Sequence, residues 1–251
     1  MKQAQIITIA IIKGGTGKTT TAAALSQAAE KDKKKVLLID LDAQANLTTL
    51  FKADPTAPGA YELLNGYPVS EVIQKTEFNI DIISGAANLA TEKTTKGSLY
   101  RLESAIEPLK SLYDYIFIDT PPTLGEMTFN ALQSSNGLIC TLEANTSSIQ
   151  GLYQIYDLSQ AATKTNPNLK LLACVITRYN PRIVIQRKMR DIIAARCKSL
   201  ECPLLFEIRQ GVALQEAQAY QKSIYDYAPH CNPAEDYKTL YNQLFNKKRR
   251  R

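Results

Sequence analysis

The sequence predicts an α/β protein, a mostly parallel, twisted sheet with helices on both faces. Two observations predict it. Short apolar runs recur along the chain with helical patterns between them, and the runs are continuous instead of alternating with polar residues. Continuous hydrophobicity marks a strand covered on both faces, whereas a strand with one wet face alternates.

Taken in order, "IITIAII" (6–12) is the first predicted strand. It leads into "KGGTGKTT" and then "TTTAAALSQAAEKDKK", whose alanines let a helix lie close to a sheet and whose charges face water. "KVLLID" (35–40) follows, completing a βαβ unit. Pro and Gly in "KADPTAPGAYELLNGYP" (52–68) predict a surface segment whose apolar "YELL" docks on the body. Further strands are predicted at "IDIIS" (80–84), "YIFID" (115–119), "GLICTL" (137–142) and "LKLLACVIT" (169–177). Helices are predicted at 128–135 and 186–200, the latter with Met189, Ile192, Ile193, Cys197 and Leu200 in one stripe.

With 251 residues, 45% of them hydrophobic, the chain can bury a substantial core. We expect a single domain over 1–246 and a basic tail over 247–251, since Lys247, Lys248, Arg249, Arg250 and Arg251 supply most of the net charge of +6. The five cysteines, Cys140, Cys174, Cys197, Cys202 and Cys231, are scattered without a CxxC pair. That pattern points to a reducing, cytoplasmic compartment and away from a disulfide framework or a zinc site. The first apolar run is too short to span a membrane and leads straight into glycines, so no targeting segment is expected.

The glycine loop carries the chemistry. Gly14, Gly15 and Gly17 follow a strand and open a helix, where backbone N–H groups can converge on a phosphate. Lys18 adds charge at the β/γ-phosphates, and Thr19 offers the hydroxyl that a phosphate-bound magnesium takes in a P-loop. The strict pattern GxxxxGK[ST] fails at its first position, which holds Ile12. Asp119 ends an apolar strand, placing a carboxylate beside the loop as a magnesium partner acting through water, although strand-exit aspartates are also common without one. Asp40 and Asp42 end the second long strand on one face. Two readings stand for them: a pair whose repulsion a metal, water or lysine offsets, or the cap of a following helix.

These residues resemble the ParA/MinD family of deviant Walker A ATPases, a SIMIBI-like class of P-loop NTPases, and most of all the small ParA or Soj type of DNA-partition ATPase. "KGGTGKTT" resembles the signature phosphate loop, "DLDAQANLT" the second motif, and "DTPPTLGEMTFNAL" the magnesium-site strand and its helix. The resemblance implies ATP and magnesium as cofactors. It assigns Lys13, Gly14, Gly15, Thr16, Gly17, Lys18, Thr19 and Thr20 to the nucleotide and Thr19 and Asp119 to the metal, with Asp42 orienting the attacking water. It also explains why a second lysine precedes the loop: Lys13 reaches the partner's phosphates across an ATP-sandwich homodimer.

What the resemblance implies for function is a cytoplasmic, nucleoid-associated switch. Its ATP-bound dimer binds non-specific DNA, and a ParB-like adaptor stimulates hydrolysis and release, so that a plasmid or chromosome cargo is positioned. The chain departs from the family where members commonly read Ile-Pro-Arg-Asn-Val-Arg-Leu, near the base and the DNA surface. Here Ile208, Arg209, Gln210, Gly211 and Ala213 stand in "IRQGVAL", and Ala213 replaces the second arginine.

A second basic region compensates if Arg182, Arg187, Lys188 and Arg190 form a phosphate-binding strip between 178 and 198, where Asp191 is the one acid. The other reading of that strip is a solvated helix face. No helix-turn-helix domain fits before Ile6, so sequence-specific DNA recognition is not expected, and His230 has no neighbouring metal ligands. The competing function is a MinD-like membrane switch. It rests on Tyr237, Leu240, Tyr241, Leu244 and Phe245, a helical stripe beside the basic tail. An iron protein would need a cluster-binding cysteine pair, and the chain from Asp119 to Cys140 has none.

Overall fold

The computed structural model describes residues 3–91 and 98–246, so the basic run 247–251 lies outside the described residues. In chain order the elements are β1 (Gln5–Ala10), α1 (Lys18–Lys31), β2 (Val36–Asp40), α2 (Asn46–Leu50), α3 (Ala60–Leu64), α4 (Val69–Val72), β3 (Ile73–Lys75), β4 (Asp81–Ile83), α5 (Arg101–Ile106), β5 (Tyr115–Asp119) and α6 (Glu126–Gln133). β6 (Gly137–Glu143), α7 (Thr146–Thr163), β7 (Lys170–Tyr179), α8 (Val184–Ser199), β8 (Leu205–Arg209), α9 (Val212–Ala219), α10 (Ile224–Tyr227) and α11 (Asn232–Phe245) follow. The strands form one sheet in the order β3-β4-β2-β5-β1-β6-β7-β8. Every pairing is parallel except β3 with β4.

The apolar runs are continuous because alternate residues serve two cores. On one face Ile7, Ile9, Leu38, Phe117 and Val175 pack against the alanines of α1 and against Tyr237, Leu240 and Tyr241 of α11. On the other, Ile6, Leu37, Ile39, Ile116 and Ile118 pack under Leu63, Leu64, Leu102 and Ile106. Leu138, Leu142 and Ile176 extend that second face beneath Leu152, Ile155 and Ile193. Ala22, Ala24 and Ala29 are fully buried, and their small size allows α1 to sit close to the sheet.

β1 stops at Ala10, two residues before the predicted end, because the chain turns there into the glycine loop. The predicted strand at 80–84 shrinks to three residues, and a short antiparallel partner, β3, precedes it. β8 and the 18-residue α7 were not predicted as separate elements. Asn145 caps α7 by accepting the Ser148 N–H at 3.1 Å. Leu63 and Leu64 are buried, as the docking of "YELL" requires. On α8 the stripe is narrower than predicted: Met189, Ile193 and Cys197 are buried, whereas Ile192 is exposed.

The α11 stripe faces inward. Tyr237, Leu240 and Tyr241 are buried, and Leu244 and Phe245 pack on the same core, Phe245 5.0 Å from the Tyr115 ring. This corrects the membrane alternative, because the residues that would enter a lipid surface already fill the protein interior. Among the described residues no helix is long and apolar enough to cross a membrane.

Candidate functional site

The loop between β1 and α1 is built on two left-handed glycines, Gly15 (φ +75°) and Gly17 (φ +86°), conformations that L side chains rarely adopt. A Cβ on Gly17 would also lie 3.1 Å from the Thr177 methyl. Gly14 and Gly15 are exposed, leaving the loop backbone open to a ligand. Thr177 of β7 donates its hydroxyl to the Thr16 carbonyl at 2.8 Å, pinning the loop to the sheet. The buried Thr16 side chain meets Thr141 at 3.2 Å, so Thr16 shapes the loop with its side chain. Lys18 is buried and donates to the Lys13 carbonyl at 3.1 Å. Burial lowers its pKa, against the Asp119 and Asp42 carboxylates, which raise it.

Three aspartates stand at the C-terminal ends of β2 and β5. Asp40 and Asp119 are register partners across these strands, and both are fully buried. The Asp40 carboxylate accepts from the Thr48 N–H at 2.9 Å, the Thr48 hydroxyl at 2.8 Å and the Asp42 N–H at 3.1 Å. Asp40 therefore organises the segment that carries Asp42. It bonds Thr48 in the first turn of α2 without being its cap, since the N-cap residue is Ala45, while Asp42 is half-buried and borders the loop. Thr19 donates to Asp119 Oδ2 at 2.6 Å, and Asp119 Oδ1 is buried without a hydrogen-bond partner among the described residues. Burial pushes the Asp119 carboxyl up to about 8. An orphaned carboxylate oxygen beside a threonine hydroxyl is a donor set that fits a hard divalent cation.

Thr19 and Asp42 border one cleft of about 470 Å³, lined by Gly14, Gly15, Gly17, Lys18, Thr19 and Thr20 on one side and by Asp42 and Pro122 on another. Sequence reasoning missed the rest of its wall. Gln218 closes it by donating to the Thr20 hydroxyl at 2.8 Å, and Gln221 by donating to the Thr49 carbonyl at 2.7 Å. Arg178, counted in the sequence as part of the basic strip, lines the same cleft. Its φ of 52° at an irregularity in β7 turns it out of the strand pattern, a feature that spacing cannot reveal.

Lys13 lies at the edge of this site. Its ammonium donates to Glu143 Oε2 at 3.2 Å, to the Ser147 hydroxyl at 2.9 Å and to Asn145 Oδ1 at 3.4 Å. The other Glu143 oxygen accepts from Arg178 at 3.2 Å. One carboxylate at the end of β6 thus holds two cations that flank the loop.

A family model described as an AAA domain matches residues 4–171. The chain belongs to the ParA/MinD family of ATPases. The chromosome-partitioning ATPase Soj of Thermus thermophilus is 29% identical over 95% of this chain and 94% of its own. Among solved structures, cobyrinic acid a,c-diamide synthase from Mycobacterium smegmatis, with bound ATP analog and magnesium, matches with a TM-score of 0.84 at 28% identity, covering 99% of this chain and 97% of that one. A plasmid partition protein from Borrelia burgdorferi bound to AMPPNP matches with a TM-score of 0.84 at 27% identity, covering 98% of this chain and 100% of that one.

In "IRQGVAL" of this ParA/MinD-type chain, two residues meet α11. Arg209 pairs with Asp236 through two side-chain nitrogens, at 2.9 and 2.7 Å, and its backbone N–H also reaches that carboxylate. A Cβ on Gly211 would lie 2.7 Å from Pro233, so glycine permits the close approach of α11. Both residues fasten α11 to the body. The basic strip is also less free than its sequence implied. Glu207 of β8 accepts from Arg190 at 2.7 Å, and Asp191 pairs with it too, while Arg182, Arg187 and Lys188 remain exposed.

Proposed function

We propose that this chain is an ATP-hydrolysing partition switch: with ATP and magnesium it forms a homodimer that binds DNA without sequence preference, and hydrolysis, stimulated by a ParB-like adaptor, releases it. The cytoplasm, on the nucleoid, is where such a switch works. The observation that carries the reading is the meeting of Lys18, Thr19 and Asp42 on one cleft, with Asp119 bonded behind Thr19 and the Lys13 carbonyl bonded to Lys18.

Thr19 and Asp119 would hold the magnesium, which neutralises charge on the terminal phosphates when bound. The open backbone of Gly14–Gly17 and the Lys18 ammonium bind the phosphates. Asp42 orients the attacking water and holds its proton as the nucleophile forms. Lys13, moving from Glu143, meets the partner's phosphates and makes dimer affinity depend on ATP.

The test is a pair of parallel assays with ATP or ADP: a mobility shift on random-sequence duplex DNA and flotation on anionic vesicles. We expect ATP-dependent DNA binding that weakens steeply with salt, as counterion release requires. Changing Arg182, Arg187 and Lys188 together to Ala should weaken it by at least about tenfold, whereas Arg190→Ala should do less. Flotation without DNA binding would overturn the proposal.

A further inference from the structure

Four of the five cysteines, far apart in sequence, converge behind the sheet. Cys140 and Cys174 are register partners on β6 and β7. Cys197 lies near the end of α8, and Cys202 follows it after a turn in which Glu201 takes a left-handed φ of 54°. That turn folds the chain back, so the Cys202 N–H bonds the Cys197 carbonyl at 2.9 Å. The result is that the sulfurs of Cys174, Cys197 and Cys202 all lie within 4.8 Å of one another.

We propose that Cys174, Cys197 and Cys202 form a three-thiolate site for a soft metal ion, Zn²⁺ or Cu⁺. Three arguments carry it. A tetrahedral or trigonal ion with metal–sulfur bonds near 2.3 Å needs sulfurs about 3.8 Å apart, so each has only about an ångström to move. Cys197 and Cys202 are separated by four residues, a spacing that structural zinc sites use, and the third ligand comes from a neighbouring strand, which fixes its position. The three sulfurs belong to one apolar cluster with Leu169, Leu171, Leu200 and Leu205, and an all-thiolate donor set selects a soft ion.

Cys202 is the half-buried member, on the side from which an ion would enter. Binding would release the thiol protons to solvent. The bound ion would tie α8, which carries Arg182's exposed neighbours Arg187 and Lys188, to β7 and so to the strand that pins the phosphate loop.

The experiment uses the full reduced chain with magnesium and ATP present, so that oxygen-rich sites are already filled, and Co²⁺ alone as the probe. We expect one Co²⁺ per chain with a thiolate-to-metal charge-transfer band, displaced by one equivalent of Zn²⁺. Cys202→Ser and Cys197→Ser should each weaken binding by at least about tenfold, and Cys231→Ser should leave it unchanged. Zn²⁺ should raise the melting temperature of the parent and not that of Cys202→Ser, which reads the site without relying on either variant's spectrum. No band in the fully reduced parent, a band that survives Cys202→Ser, or a zinc-insensitive parent would each overturn the assignment.

Discussion

Replacing Asp40 by Asn should make the stability curves of variant and parent cross as pH rises. Asp40 is fully buried, and burial raises its carboxyl from 3.8 to about 6 despite hydrogen bonds from Thr48 and Asp42. The folded value lies above the unfolded one, so between them the native state holds the extra proton. Its contribution to stability is complete below about pH 4 and is lost as pH rises through about 6. Two pH units at about 1.4 kcal/mol each give a loss of about 3 kcal/mol for the parent by neutral pH.

Asn cannot ionise and escapes that loss. It carries a different one. Its carbonyl can keep both Thr48 bonds, which fall on one oxygen, but its amide then faces the Asp42 N–H. An unsatisfied buried donor costs about 1–3 kcal/mol. The variant should therefore be the weaker protein at about pH 4, and the curves should meet between about pH 5 and 6. Urea unfolding followed by circular dichroism, on the nucleotide-free protein across that range, reads the difference directly. Parallel curves would refute the reasoning and place the Asp40 carboxyl in its ordinary range.

Lys13→Ala should still bind ATP but fail to dimerise with it, as light scattering would report; unchanged dimerisation would return Lys13 to a purely local pairing with Glu143. Asp42→Ala should keep nucleotide affinity and lose about a hundredfold or more in ATP turnover, so that dimer accumulates; normal steady-state turnover would move the catalytic role elsewhere. Leu240→Ala, in the stripe that fills the core, should cost about 2–5 kcal/mol in denaturant unfolding, and a neutral result would contradict its burial.

The glycine loop was legible because its geometry is local: Gly15, Gly17, Lys18 and Thr19 lie within one turn, and spacing alone places them. Strands buried on both faces were legible for the same reason, since each carries its own continuous run. What spacing could not show was convergence from different strands. Glu143 gathers Lys13 and Arg178 from 130 and 35 residues away. Glu207 neutralises Arg190 from a strand that the strip's own composition does not include. The amphipathic stripe of α11 was visible, but a stripe identifies a buried face without identifying what buries it. The cysteines taught the same lesson, as a search for CxxC cannot see a C-x4-C turn completed by a third sulfur from β7.

The hydroxyl contact between Thr21 of α1 and Tyr237 of α11, at 3.0 Å, joins residues 216 positions apart in the chain. On a ribosome these positions emerge one after the other, with β5 and β6, the neighbours of β1, in between. The helix behind the glycine loop can therefore pack on β1 and β2 early, whereas the face that α11 covers stays open until a residue 216 positions later has been made.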